Sequence, residues 1–186
     1  MHLKKTALIA FLILRSNQAD AAAPDNFYSV APAACVPTGQ TSSLSLLFNS
    51  AAEASIKDGG SGEVILTCPV PSSLATAKTI TVRYKDDGVK GTGSRIVFAL
   101  RRKSYVFNGL TGDRDSSTET VASIDTDAFV SPIVSPQGYR DNQKNLLATN
   151  GAMTFEHRKF FYYIQINMTR PAGSTAPVTV AYVQLF

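Results

Sequence analysis

Tryptophan is absent from this 186-residue chain, and histidine and cysteine each occur only twice. Without tryptophan, an aromatic platform of the kind that binds sugars must be built from the ten Phe and seven Tyr. One histidine, His2, falls in a segment read below as removed. That leaves His157, between Glu156 and Arg158. A nucleophile–base pair needs a histidine or an equivalent base at hydrogen-bond distance. Nothing in the sequence selects a serine for His157, and no G-x-S-x-G elbow is present. His157 therefore reads as a surface or edge-strand residue. A zinc site would have to lean on carboxylates, contrary to zinc's usual N/S ligand set. The two cysteines, Cys35 and Cys68, are too far apart for a C-x-x-C redox site. No catalytic, cofactor-binding or metal-ligating residue is assigned, no cofactor is expected, and the chain reads as a non-enzyme.

Long apolar runs are also missing. The run from Ala7 to Leu14 is far short of the roughly 20 residues a membrane-spanning helix needs. It follows Lys4 and Lys5 and precedes the small-residue stretch Ala19-Asp-Ala-Ala-Ala23. This charge–apolar–small order is that of a secretory signal peptide, with A-x-A cleavage after Ala21 or Ala23. Residues 1–21 are read as the signal, and an exported chain, periplasmic or extracellular, is expected. Lys4, Lys5, Arg15 and Asp20 leave with it, so 15 basic and 13 acidic residues remain, a net charge of +2. The basic pI thus belongs mostly to the signal. Arg101-Arg102-Lys103 is the one basic cluster, and it reads as a solvated strand end. No nucleic-acid partner is expected.

About 165 residues suit one domain with a sizeable core. An even cysteine count in an exported chain implies a Cys35–Cys68 disulfide. Residues 22–34, with Pro24 and Pro32, read as an extended leader, and 35–186 as the domain. Ala51–Ala54 has the propensity for a short helical turn over 49–56. Beyond it the chain alternates. Ile80, Val82 and Tyr84 share one face of 79–85, and Ile96, Phe98 and Leu100 one face of 95–101. The Asp/Gly-rich loop between these two runs predicts a hairpin. Further strands are predicted over 63–68, 119–124, 153–157, 160–169 and 178–186, with a helical turn over 141–148. In the run 160–169, Tyr162, Ile164, Ile166 and Met168 lie on one face. Phe161 and Tyr163 lie on the other, and the last two strands read as central, buried on both faces. The pattern predicts an all-β fold, an antiparallel β-sandwich of about eight strands, jelly-roll-like or Ig-like.

Acidic residues pair at Asp86-Asp87, Asp113 with Asp115, and Asp125 with Asp127. Such spacing suits Ca²⁺, but the EF-hand pattern is absent, and aspartate also favours turns by bonding nearby amides. Turn chemistry is the reading adopted. The terminal run Val178–Phe186 is similar to the last strand of outer-membrane barrels, but Gln184 interrupts its apolar face.

Cys35-Val-Pro37, the strand Gly62–Pro69, Tyr84-Lys-Asp-Asp-Gly88 and Tyr162-Tyr163 together resemble a loose group of small exported bacterial β-sandwich proteins of unknown function. That group brings no site residues. A more distant resemblance is to chaperone–usher pilus subunits and spore-coat-like adhesins. It implies a leader, here residues 22–34, that completes a neighbour's fold by strand addition. The expected function is that of an interaction or structural protein of the cell envelope or extracellular space, with a protein or glycan partner, possibly itself. The alternatives are a self-assembling pilin-like subunit and a carbohydrate-binding or hydrolytic domain.

Overall fold

The computed structural model describes residues 27–86, 94–104, 117–129 and 138–186. The signal segment, Asp87, Asp113, Asp115 and the loop over 87–93 lie outside the described residues. The strands are β1 (Tyr28–Val30), β2 (Val36–Pro37), β3 (Leu46–Phe48), β4 (Ala54–Ile56), β5 (Gly62–Pro69), β6 (Thr76–Ala77), β7 (Thr79–Lys85), β8 (Arg95–Ser104), β9 (Thr118–Asp125), β10 (Arg140–Asn145), β11 (Met153–Thr154), β12 (Phe160–Arg170) and β13 (Thr179–Leu185). One helix of six residues, α1 (Gln40–Ser45), precedes β3.

The strands form two principal antiparallel sheets. In the first the order is β10-β7-β13-β4-β3, with β1 also paired to β13; in the second it is β2-β5-β12-β8-β9. Eight of these, β10-β7-β13-β4 facing β5-β12-β8-β9, are a jelly roll: the chain crosses between these sheets at β4–β5, β5–β7, β7–β8, β9–β10, β10–β12 and β12–β13. The predicted hairpin of 79–85 with 95–101 is therefore not formed. β7 pairs with β10 and β13, and β8 with β12 and β9. Period-2 alternation specifies which face of a strand is buried and leaves the pairing partner open.

The alternating side chains meet between the sheets. Ile80, Val82 and Tyr84 from the first sheet, and Leu66, Ile96, Phe98, Leu100, Ile164, Ile166 and Met168 from the second, are fully buried. Each such side chain contributes roughly 1.5–3 kcal/mol relative to exposure. The disulfide Cys35–Cys68 is present, with both residues buried, and ties the entry to β2 onto β5.

Two local expectations are corrected. Residues 49–56 make a tight turn and β4, not a helical turn. The Asn49 side-chain oxygen accepts from the amides of Ala51 and Glu53, and Ala52 takes φ 61°, which breaks a helix. Residues 141–148 form most of β10 and the turn after it. β10 has the polar sequence Arg-Asp-Asn-Gln-Lys-Asn, but an edge strand is held by backbone hydrogen bonds that ignore side-chain type. Its inward positions meet polar partners. Arg140 ion-pairs with buried Asp86 at 3.0 Å, and Asn142 donates to the Tyr84 hydroxyl at 2.6 Å.

The described part of the leader, residues 27–34, is placed as well. Tyr28–Val30 adds to β13 of its own domain, and the Tyr28 hydroxyl donates to the Pro69 carbonyl at 2.8 Å. Val30 and Pro32 are buried. The packed domain thus starts before Cys35.

Candidate functional site

The residues singled out in the sequence are mostly engaged in holding the fold. His157 sits in the turn before β12, where its Nε2 donates to the Leu74 carbonyl at 2.9 Å and its ring lies parallel to Phe155. Asp125 takes two hydrogen bonds from the Arg95 guanidinium and accepts from the Asp127 amide at 3.2 Å. The Arg95 bonds hold its carboxyl below the usual range. Asp86 is occupied by Arg140. Among the described residues no cluster of three or more His, Cys, Asp or Glu could hold a metal ion.

The outer face of the first sheet is likewise saturated. Arg83 pairs with Asp141, which also accepts from the Tyr182 hydroxyl. Arg83 and Lys85 lie over the Tyr139 ring at 5.2 and 4.0 Å, and the Tyr139 hydroxyl donates to Glu53. Burial, then the Glu53 bond, pushes Tyr139 up to about 12.

The outer face of the second sheet differs. Its central strand, β12, turns Phe161, Tyr163, Gln165 and Asn167 outward because Tyr162, Ile164, Ile166 and Met168 turn in. The expectation that this strand is buried on both faces is corrected: Phe161 is 37% exposed and Tyr163 half-buried. The two rings stand 5.8 Å apart with planes inclined by 25°. On one side Lys103 is opposite Phe161 and Arg101 opposite Tyr163. On the other side Thr67 is opposite Gln165, and its hydroxyl lies 3.0 Å from that of Thr38. A cleft of about 390 Å³ runs over this surface, lined by Thr38, Ile65, Thr67, Lys103, Thr118, Phe161, Tyr163 and Gln165.

The basic run 101–103 is thereby divided. Arg102 points to the other face, bonded to Glu119 and lying over the Phe160 ring at 4.5 Å. Arg101 and Lys103 stand on the aromatic face. The phase of β8 carries this information: with Ile96, Phe98 and Leu100 inward, residues 101 and 103 are outward. The sequence reading treated the run as one solvated end and missed the split. Thr38, Thr67 and Thr118 carry no local signal and join the site through strand register.

No helix among the described residues is long and apolar enough to cross a membrane. No protein-family model and no curated protein matches the chain. Several solved structures are distantly similar. A family two carbohydrate esterase from Cellvibrio japonicus has 14% identity and a TM-score of 0.39, over 86% of this chain and 33% of that one. The chain thus spans about a third of the esterase. A low affinity xylan binding module from the gut symbiont Roseburia intestinalis has 13% identity and a TM-score of 0.36, over 86% and 94% of the two chains. A cleaved adhesin domain of Lys-gingipain has 12% identity and a TM-score of 0.37, over 92% and 95%. Likeness at this level transfers neither ligand nor activity.

Proposed function

We propose that this chain is an exported, non-catalytic binding protein that takes an extended partner across the outer face of its second sheet. The observation that carries this reading is the pair Phe161, exposed, and Tyr163, half-buried, in a cleft lined by hydroxyls and Lys103, with Arg101 opposite Tyr163 in strand register. Aromatic rings left at the surface among hydrogen-bonding groups are the usual anchors of recognition surfaces. The disulfide supports an oxidising, extracytoplasmic location. The engagement of His157 with a backbone carbonyl supports the non-catalytic part of the reading. The docking of Tyr28–Val30 on β13 of the same domain favours a single-chain module over a subunit that lends this segment to a neighbour.

The test is electrophoresis of the mature protein through gels containing soluble polysaccharides and polypeptides of either charge. At least one polymer retards the wild type. The double variant Phe161→Ala, Tyr163→Ala loses the retardation, and Tyr182→Ala, on the opposite sheet, keeps it. Retardation that survives the double variant would contradict the reading, as would a polymer cleaved or de-esterified during the run.

A further inference from the structure

Taking the second-sheet face as the binding surface, we propose that its ligand is an acidic polysaccharide, a chain of sugar rings bearing carboxylates. Three features of the face converge on that chemistry. The first is the nearly parallel pair of rings at successive outward positions of β12, Phe161 and Tyr163. Such rings offer extended π faces to the C–H faces of sugars, and successive outward positions on a strand lie roughly 6–7 Å apart, so they line up along a chain rather than enclosing one residue. The second is the flanking chemistry of hydroxyls and amides. Thr67, Thr118 and Gln165 act as both donors and acceptors, as a polyhydroxylated ligand requires.

The third feature sets the charge. Arg101 is the one strand arginine among the described residues without an acceptor. Arg83, Arg95, Arg102 and Arg140 have carboxylates, and Arg170 has three backbone carbonyls. The Arg101 Nε is buried and has no hydrogen-bond partner, while its two terminal nitrogens are not buried and make no hydrogen bond or ion pair among the described residues, which leaves them for a ligand. Beside it, Lys103 makes no ion pair among the described residues. Among the described residues, Glu119 is taken by Arg102, and Glu63, further along the sheet, by the Asn167 amide at 3.1 Å. Cations stand directly opposite the two rings in strand register, Arg101 at Tyr163 and Lys103 at Phe161. A sugar resting on a ring therefore presents its carboxylate to a cation. A guanidinium takes a carboxylate through two parallel hydrogen bonds.

Other polyanions fit less well. Nucleic acid needs a tract of cations matched to many phosphates, and among the described residues this face offers two unpaired ones. An acidic peptide adding as a strand needs an open sheet edge, whereas these residues lie on a sheet face.

The experiment titrates the mature protein with polygalacturonate and alginate, with the carboxyl-reduced form of each, and with neutral xylan, poly-glutamate and single-stranded DNA. A uronate polymer binds. Its affinity falls about tenfold or more on carboxyl reduction and on Arg101→Gln, as loss of one charge-assisted contact implies. Binding also weakens with added salt. Carboxyl reduction alters the ligand alone, so the result stands even if Arg101→Gln unfolds the protein. Neutral or carboxyl-reduced polymers binding as well as acidic ones, through Phe161 and Tyr163, would overturn the charge inference and leave the face intact. Preference for poly-glutamate or DNA would overturn the sugar inference. Failure of every polymer to bind would overturn both.

Discussion

Two arginines show how context decides what a cation does. Arg170, at the end of β12, is buried and points its guanidinium at the carbonyls of Lys57, Gly60 and Ala176. It pins the turn before β5 to the connection before β13, and all its bonds stay within the fold. Arg170→Ala strands those carbonyls and is expected to cost about 3 kcal/mol, read by chemical denaturation, with ligand affinity unchanged in the folded fraction. Arg101 lacks such partners, and its replacement is felt in binding. Tyrosines supply a second residue-scale test. Tyr84 and Tyr139 are both pushed up to about 12, in each case chiefly by burial. A phenol whose folded pKa exceeds its unfolded value near 10 stabilises the fold fully below pH 10, and that stability is lost as pH rises from there toward 12. Denaturation midpoints are expected to be flat up to about pH 9.5 and to fall above it. Phenolate absorbance at pH 11 should show Tyr84 and Tyr139 still protonated until the protein unfolds.

At the scale of elements, the sequence declared its buried faces more readily than its neighbours. In β7, β8 and β12, every inward position expected from alternation, from Ile80 to Met168, is buried. The partners of those strands were not legible, because a jelly roll sends most consecutive strands to opposite sheets. β10 was hidden for another reason: its inward Arg140 and Asn142 answer Asp86 and the Tyr84 hydroxyl, so its pattern is polar throughout. The binding face was half legible. Phe161 and Tyr163 were visible as candidates, but alternation does not say whether a second face meets solvent or another layer. β1 carries the prediction at this scale. It fills the side of β13 beside β4, and Phe27 packs on Phe186 at 5.1 Å. Deleting residues 22–34 from the mature chain is expected to lower stability by about 2–4 kcal/mol, from lost burial and ladder bonds. A pilin-like donor segment would behave differently: sedimentation would show polymers of the mature chain that the deletion abolishes.

For the whole molecule, the two sheets divide the labour. The first spends its outer charges on itself through Arg83, Asp141, Tyr182 and Tyr139. The second, stapled at its edge by Cys35–Cys68, carries Phe161, Tyr163, Arg101 and Lys103 on its outer face. Reduction of that disulfide is expected to remove about 3–4 kcal/mol of stability on the chain-entropy model for a 33-residue separation, measured as a shift in denaturation midpoint. Lys144 bridges the open edge between the sheets by donating to the Ser123 carbonyl at 2.9 Å. The contrast between the two outer faces makes a mapping experiment decisive. Backbone amide shifts of the mature protein should be followed while an oligogalacturonate, or whichever polymer fragment retards it in gels, is added. Shifts concentrated at Thr67, Arg101, Lys103, Phe161, Tyr163 and Gln165 are the predicted result. Shifts concentrated instead on Arg83, Asp141 and Tyr182 would contradict the placement of the binding surface on the second sheet.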